Sequence, residues 1–113
     1  MAESVVIPAD QNRVTVPAQT GIGVSAAVIS PAKPARVMFR IQNTGTTMIY
    51  LNLSETLPTG TVYHAALGAG SGANDGGGGV LSMDGWAGPI SALSSAAGGT
   101  VVLMEVLQPA AWL

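Results

Sequence analysis

Short segments in which apolar and polar residues alternate dominate the chain, and the clearest of them runs from Arg36 to Gln42. Side chains of a β-strand point alternately to its two faces, so a period of two predicts a strand with one buried and one exposed face. The predicted buried residues are Val37, Phe39 and Ile41, and the predicted exposed residues are Arg36, Arg40 and Gln42.

Three pairs of such segments are predicted to form β-hairpins. Within each pair, the two segments are joined by Asn, Asp, Gly or Ser residues, which favour turns. The last predicted strand is apolar on both faces over residues 101–104, so we expect it in the middle of a sheet or under a neighbour. The predicted pairs are 36–42 with 47–53, 80–83 with 86–87, and 89–94 with 100–107.

The distribution of glycine and proline predicts an all-β chain. Few stretches of ten residues lack both, which leaves little room for a helix of ordinary length. Weaker strands are predicted at 13–16, 22–29 and 61–66. Seven or eight short strands indicate a two-sheet sandwich or a jelly roll. We expect this sandwich domain at 13–107, after an extended N-terminal arm (1–12) and before a short C-terminal docking tail (108–113).

A glycine-rich segment, residues 68–79, contains seven glycines in twelve residues. Such a composition predicts a flexible loop unless a neighbouring subunit holds it. Gly68, Gly70 and Ala73 match a relaxed form of the dinucleotide-binding spacing, but that motif needs a helix after it. The residues 74–77 (NDGG) disfavour a helix, and Asp75 would repel phosphate. The segment therefore predicts a strand connection or a subunit-contact loop, with no nucleotide cofactor.

Charge is scarce, since only ten of the 113 residues are charged and the formal net charge is -2. An average soluble domain carries about 25% charged residues. The composition excludes the strongly basic surface of a nucleic-acid-binding protein and the basic cluster of a membrane anchor. Without cysteine there is neither a disulfide framework nor a thiolate metal site. We find neither a secretory signal nor a membrane-spanning stretch, and expect a protein made in the cytoplasm.

Candidate catalytic groups are few. His64 is the only histidine, so any general base or metal site that needs histidine depends on it alone. Ser71 and Asp75 are near it in sequence, but no nucleophile-elbow motif surrounds the serine. The six carboxylates lack the spacing of a calcium loop. We therefore expect no enzymatic activity and no metal or other cofactor, with His64 as an ordinary strand or rim residue.

Several residues are candidates for contacts with partners. Arg36 and Arg40, with Lys33 nearby, are expected to be solvated residues that discourage association between sheet edges, and contact with an acidic partner is the alternative. Tryptophan is enriched at the energetic centres of interfaces. The predicted subunit or capsid contacts are Val5, Val6, Ile7, Trp86, Trp112 and Leu113, among which Trp86 can equally belong to the core.

Part of the chain resembles the small β-sandwich structural proteins of tailed bacteriophages. The resemblance rests on an Arg-led strand that ends in an Asn-x-Gly-type turn, residues 36–45 (RVMFRIQNTG), and on an apolar and aromatic partner strand, 48–51 (MIYL). A later glycine-rich stretch leads to strands such as 90–92 (ISA) and 100–106 (TVVLMEV). The resemblance covers residues 36 to 107 and carries over no catalytic residue.

The resemblance implies a virion component. We expect a non-enzymatic capsid decoration or cement protein that stabilises the phage head by binding the capsid lattice. The alternative is a neck, tail, fibre or spike component with carbohydrate or receptor binding. Expected partners are the major capsid protein or other virion proteins and further copies of the chain, with a trimer favoured, and the expected location is the virion.

Overall fold

Nine β-strands form the regular structure of residues 12–109, the part of the chain that the computed structural model describes. No helix occurs within this range. The strands are β1 (Arg13–Val14), β2 (Gln19–Ile22), β3 (Ala27–Ser30), β4 (Arg36–Asn43), β5 (Ile49–Asn52), β6 (Ala65–Leu67), β7 (Val80–Asp84), β8 (Ile90–Ser94) and β9 (Gly99–Leu107).

The strands form two antiparallel sheets arranged like a sandwich, as the sequence predicts. In the first, sheet A, β1 and β2 pair one after the other with the same edge of β9, and β4 and β7 follow on its other side. The order in the second, sheet B, is β3-β8-β5-β6. The prediction that the last strand lies in the middle of a sheet is confirmed, because β9 has partners on both sides.

The pairing follows a nested order. β2 pairs with β9, β3 with β8, β4 with β7 and β5 with β6, so the first half of the sandwich pairs with the second half in reverse. These pairs describe one long two-stranded ribbon. Two further pairings, β4 with β9 and β5 with β8, join successive turns of the ribbon side by side.

All three predicted hairpins are wrong, because each of these connections crosses from one sheet to the other. β4, β7 and β9 belong to sheet A, whereas β5 and β8 belong to sheet B. At Asn43 the side-chain amide donates to the carbonyl oxygens of Thr47 and Leu67, which makes a corner rather than a tight reversal. Gly85 takes a φ of 79°, as a turn glycine does, but the chain then leaves sheet A for β8.

The core lies between the two sheets. A β-bulge in β4 sets Arg36 opposite Leu107 and Met38 opposite Val106, so Val37 is the extra residue. The bulge turns Arg36 to the buried face, so its predicted exposure is wrong, and it leaves Val37, predicted to be buried, only half-buried. The buried apolar residues are Ile22, Phe39, Ile41, Ile49, Leu51, Leu67, Ile90, Ala92 and Val101.

Candidate interaction surface

Arg36 is the centre of a buried ion cluster that consists of Ser30, Lys33, Arg36 and Glu105. Its side chain has no exposed surface. The Nε donates to Glu105 Oε2 at 2.8 Å, and one terminal nitrogen donates to Ser30 Oγ at 2.9 Å. The remaining bonds go to carbonyl oxygens, those of Pro31 (3.0 Å), Trp86 (3.2 Å) and Gly88 (2.7 Å). All five N–H donors of the guanidinium are therefore satisfied.

Glu105 accepts the other bonds of the ion cluster. Lys33 Nζ lies 2.6 Å from Oε1, and Ser30 Oγ donates to Oε2 at 2.9 Å. Burial raises the pKa of the Glu105 carboxyl, but hydrogen bonds from Lys33, Ser30 and Arg36 outweigh burial, so that the pKa lies below its ordinary value. With every group paired, the ion cluster joins the two sheets and leaves no free acid or base. The acid that Lys33 and Arg36 meet is in their own chain, which corrects the expectation of solvated residues.

The opposite end of the core is closed by neutral groups around Asn43. Its Nδ2 donates to the carbonyl oxygens of Thr47 (2.7 Å) and Leu67 (2.8 Å), and its Oδ1 accepts from the amide of Gly45 (3.0 Å). A Cβ added to Gly78 would overlap the carbonyl oxygen of Asn43. This end therefore depends on an amide side chain and on a close approach between backbones.

The glycine-rich loop is held by its own chain. Asp75 accepts hydrogen bonds from the amides of Gly72 and Gly77, each at 2.8 Å, and these bonds lower the pKa of its carboxyl. The amide of Asn74, a residue with a φ of 58°, donates to the carbonyl oxygen of Thr44 at 2.8 Å. These bonds give the loop an ordered conformation within its own chain, and contact with a neighbouring subunit stays a prediction. The loop leads into β7.

Part of the outer face of sheet B, around Asn52 and Ser91, lies under the segment 53–64. The Asn52 side chain and the Ser91 hydroxyl both donate to the carbonyl oxygen of Thr56, which fixes the segment on the sheet. Farther along, the ring of Tyr63 lies 5.0 Å from the ring of Tyr50. The segment therefore shields β5 and β8 at Asn52 and Ser91, while Val28 on β3 stays 43% exposed.

His64 belongs to this covering segment and is exposed. Its Nδ1 accepts a hydrogen bond from the amide of Leu53 at 2.9 Å, and its own amide donates to Asn52 Oδ1. The imidazole thus serves as an acceptor for backbone. Within residues 12–109, no group of three or more His, Asp or Glu side chains could hold a metal ion.

The outer face of sheet A carries a row of apolar side chains, which we name the apolar face. On β9, Val101 and Glu105 are buried on the inner face, and Val102, Met104 and Val106 on the opposite face are partly exposed. Cross-strand pairing puts Val106 beside Val14 and Met38, Met104 beside Arg40, and Val102 beside Gln42. Val14 is 60% exposed and Val80 43% exposed. The apolar face consists of Val14, Met38, Val80, Val102, Met104 and Val106.

Two charged residues share this side of sheet A. Arg40 lies near its centre on β4, and Asp84 lies at its edge on β7. Four strands about 4.8 Å apart and residues repeating about every 6.6 Å give this whole side of sheet A about 400 Å², which the apolar face shares with Arg40, Gln42, Ser82 and Asp84. Patches of this size on monomers are often functional. This face is therefore the strongest candidate for an interaction surface among the described residues.

The residues predicted as contacts from the sequence have different outcomes. Trp86 is half-buried, packs against the core and donates from Nε1 to the carbonyl oxygen of Pro89 at 3.0 Å. A Cβ at Gly88 would overlap its ring. The other predicted contacts, Val5, Val6, Ile7, Trp112 and Leu113, lie outside the described residues.

The sequence reasoning missed the apolar face. One signal was available in the sequence. β9 carries apolar side chains on both of its faces, and only the face that includes Val101 is buried in the core. What the sequence did not indicate was the β4 partner. Met38 follows the bulge at Val37, and its place beside Val106 depends on that bulge.

Across residues 12–109, no helix is long and apolar enough to cross a membrane. Comparisons of the chain with protein-family models, with curated proteins and with solved structures found no match.

Proposed function

We propose that the chain is a non-enzymatic structural subunit of a tailed-phage virion, and specifically a capsid decoration protein that binds the capsid lattice as an oligomer. The observation that carries this proposal is the apolar face of sheet A. Segment 53–64 shields part of sheet B through its bonds to Asn52 and Ser91, whereas the apolar face of sheet A is at least partly exposed along its length.

The scarcity of surface charge supports the same function. Arg36 and Glu105 lie inside the fold and Lys33 pairs with Glu105 at its surface, so three of the ten charges are used within the ion cluster. A surface made largely of small neutral side chains can be covered with little desolvation of charge. Such a surface suits a subunit that is surrounded by neighbours.

The nested strand pairing also supports the proposal. A long ribbon wound into two sheets is the arrangement that we assign to the jelly-roll group, which includes viral capsid domains. Fold alone does not establish function, so this likeness adds weight only beside the surface argument. The C-terminal tail, residues 108–113, is proposed to contact the capsid, with Trp112 and Leu113 as its apolar anchors.

The test is occupancy on purified virions. Particles from the source of the coding sequence are expected to contain many copies of the chain, and deletion of residues 108–113 is expected to release it. The exposed substitution Ala97→Glu, in the loop between β8 and β9, is a control that should leave occupancy unchanged. Particles that lack the chain altogether would rule out the proposed function.

A carbohydrate-binding neck, tail, fibre or spike component is the second candidate, and one observation favours it. Tyr63 is 42% exposed and lies against Tyr50, which provides an aromatic surface on sheet B. Sugar rings stack on such surfaces, and lectin domains also use the jelly roll. Chemical-shift changes at Tyr50 and Tyr63 on addition of glycans, with those at Tyr50 lost in Tyr63→Ala, would favour this function over capsid binding.

A further inference from the structure

We infer that the apolar face of sheet A binds the N-terminal segment, residues 1–11, of a second copy of the chain. This inference deepens the proposed function and rests on it for the role of the face in assembly. It names the occupant of the face. The argument uses the direction of β1, the composition of the segment and the charge on the face.

The direction of β1 carries the chain away from its own face. Arg13 pairs with Leu107, the last residue of β9, and Val14 pairs with Val106. Because β1 runs antiparallel to β9, the chain enters β1 from beyond the end of β9. To cover its own face, the segment would have to reverse direction before it reaches β1. Binding to a neighbour needs no such reversal, and eleven extended residues reach about 36 Å.

The composition of residues 1–11 matches the apolar face. Val5, Val6 and Ile7 form an apolar run, and the only charged side chains of the segment are acidic, Glu3 and Asp10. Two charged residues share this side of sheet A, Arg40 near the centre of the face and Asp84 at its edge. Within residues 12–109, the ion pairs of the fold involve Lys33 and Arg36 but not Arg40. An acidic and apolar segment therefore fits the centre of this face, around Arg40, in both charge and polarity.

The spacing of side chains along the segment also agrees with their spacing on the apolar face. In an extended chain, Glu3, Val5 and Ile7 point to the same side, about 6.6 Å apart. The same distance separates Arg40 from the next residue on its side of β4, Met38, and Met104 lies beside Arg40 on β9. With Glu3 on Arg40, Val5 can therefore rest on apolar side chains. An exchange of segments between neighbours can close into a ring, which accommodates the trimer expected from the sequence.

Sedimentation of the purified protein without capsids tests the inference. Wild type is expected to form an oligomer, and removal of residues 1–11 or the substitution Arg40→Glu is expected to weaken association about tenfold or more. The pair Glu3→Arg with Arg40→Glu restores the charge match and is expected to restore association. Ala97→Glu, outside the face, is the control. An oligomer that is unaffected by removal of residues 1–11 would overturn the inference.

A mixing experiment distinguishes a neighbour's segment from the chain's own. The truncated chain supplies faces without segments, and Met104→Asp supplies segments without an intact face. Exchange between copies predicts that the two variants form a mixed complex. Absence of that complex, with both variants folded by thermal melting, contradicts exchange; if Met104→Asp is unfolded, Arg40→Glu takes its place. Because no capsid is present, failure here leaves the virion function untouched, and failure to bind virions leaves this result untouched.

Discussion

The two ends of the core are closed by different chemistry. At one end, Arg36 and Glu105 form a buried ion pair with Ser30 and Lys33 around them. At the other, Asn43 joins three backbone groups through neutral hydrogen bonds. The comparison shows that the charged end depends on protonation and on every partner being present. The neutral end depends on the fit of one amide side chain among closely packed backbone groups.

The difference matters because the ends occupy the same strand. Arg36 and Asn43 are the first and last residues of β4, which spans the core. A buried charge that loses its partner is more costly than a neutral group that loses a hydrogen bond. We therefore expect the charged end to be the more sensitive of the two, although both are equally well buried.

The substitution Arg36→Met should have the largest effect. It removes the guanidinium while keeping much of the side-chain volume, and it leaves Glu105 buried with only Lys33 and Ser30. We expect a loss of about 3–5 kcal/mol in the free energy of unfolding. Urea denaturation measures this loss. The matched control Arg40→Met, on the outer face, should change stability by no more than about 0.5 kcal/mol. Equal effects at the two positions would contradict the burial of Arg36.

The substitution Asn43→Ala should have the next largest effect. It leaves the carbonyl oxygens of Thr47 and Leu67 and the amide of Gly45 without their partner, at a cost of about 1–3 kcal/mol. Its neighbour Gln42 points to the outer face, so Gln42→Ala serves as the control in the same denaturation experiment. If Asn43→Ala were more destabilising than Arg36→Met, the proposed order of the two ends would be reversed.

Acid should weaken the charged end before the neutral end. The pKa of Glu105 is lower in the folded chain than its ordinary value of 4.5, so its contribution to stability is complete above that pH. The contribution is lost as the pH falls through the folded pKa. Denaturation midpoints measured between neutral pH and pH 3 are expected to decrease.

Two variants show which carboxyl group causes the loss of stability in acid. Glu105→Gln should be less stable at neutral pH and should show a weaker decrease in acid. Asp75 also has a lowered pKa and adds a change of the same sign, so Asp75→Asn is the comparison that separates the two carboxyls. A full acid dependence retained in Glu105→Gln would show that the ion cluster is not its source.

The substitution Lys33→Met should have the smallest effect. The Lys33 side chain is 35% exposed, so water and salt screen its pairing with Glu105. A loss of about 0.2–1 kcal/mol is expected, and it should shrink at high salt concentration. Chemical denaturation with urea at low and high salt measures both. A loss as large as that of Arg36→Met would mean that Lys33 carries the cluster.

The strands were more predictable from the sequence than their partners. Segment 36–42 alternates clearly, and the apolar 101–104 correctly indicated a central strand. Turn residues such as Asp84 and Gly85 show where the chain reverses, but they do not show whether the next strand joins the same sheet. In a sandwich both outcomes satisfy the same local chemistry, and the choice depends on contacts far apart in sequence.

The candidate surface was less predictable for a related reason. A single extra residue at Val37 changes which side chains of β4 face the core. The alternation of apolar and polar residues in that segment does not indicate the bulge. From the sequence alone Arg36 is predicted to be exposed, because its partner, Glu105, lies 69 positions away along the chain. The glycine-rich loop is predicted to be flexible from its composition, whereas in the structure Asp75 accepts hydrogen bonds from the amides of Gly72 and Gly77.

The nested ribbon has a consequence for how quickly the chain can fold. Only the innermost pair, β5 with β6, joins neighbouring strands, while β2 must find β9 across most of the chain, with Gln19 opposite Val102. Folds dominated by such distant contacts have a high contact order and typically fold in about milliseconds to seconds. During that interval β9, apolar on both faces, has none of its partners. Refolding yield should therefore fall as protein concentration rises, since the unpaired strand can meet another chain first.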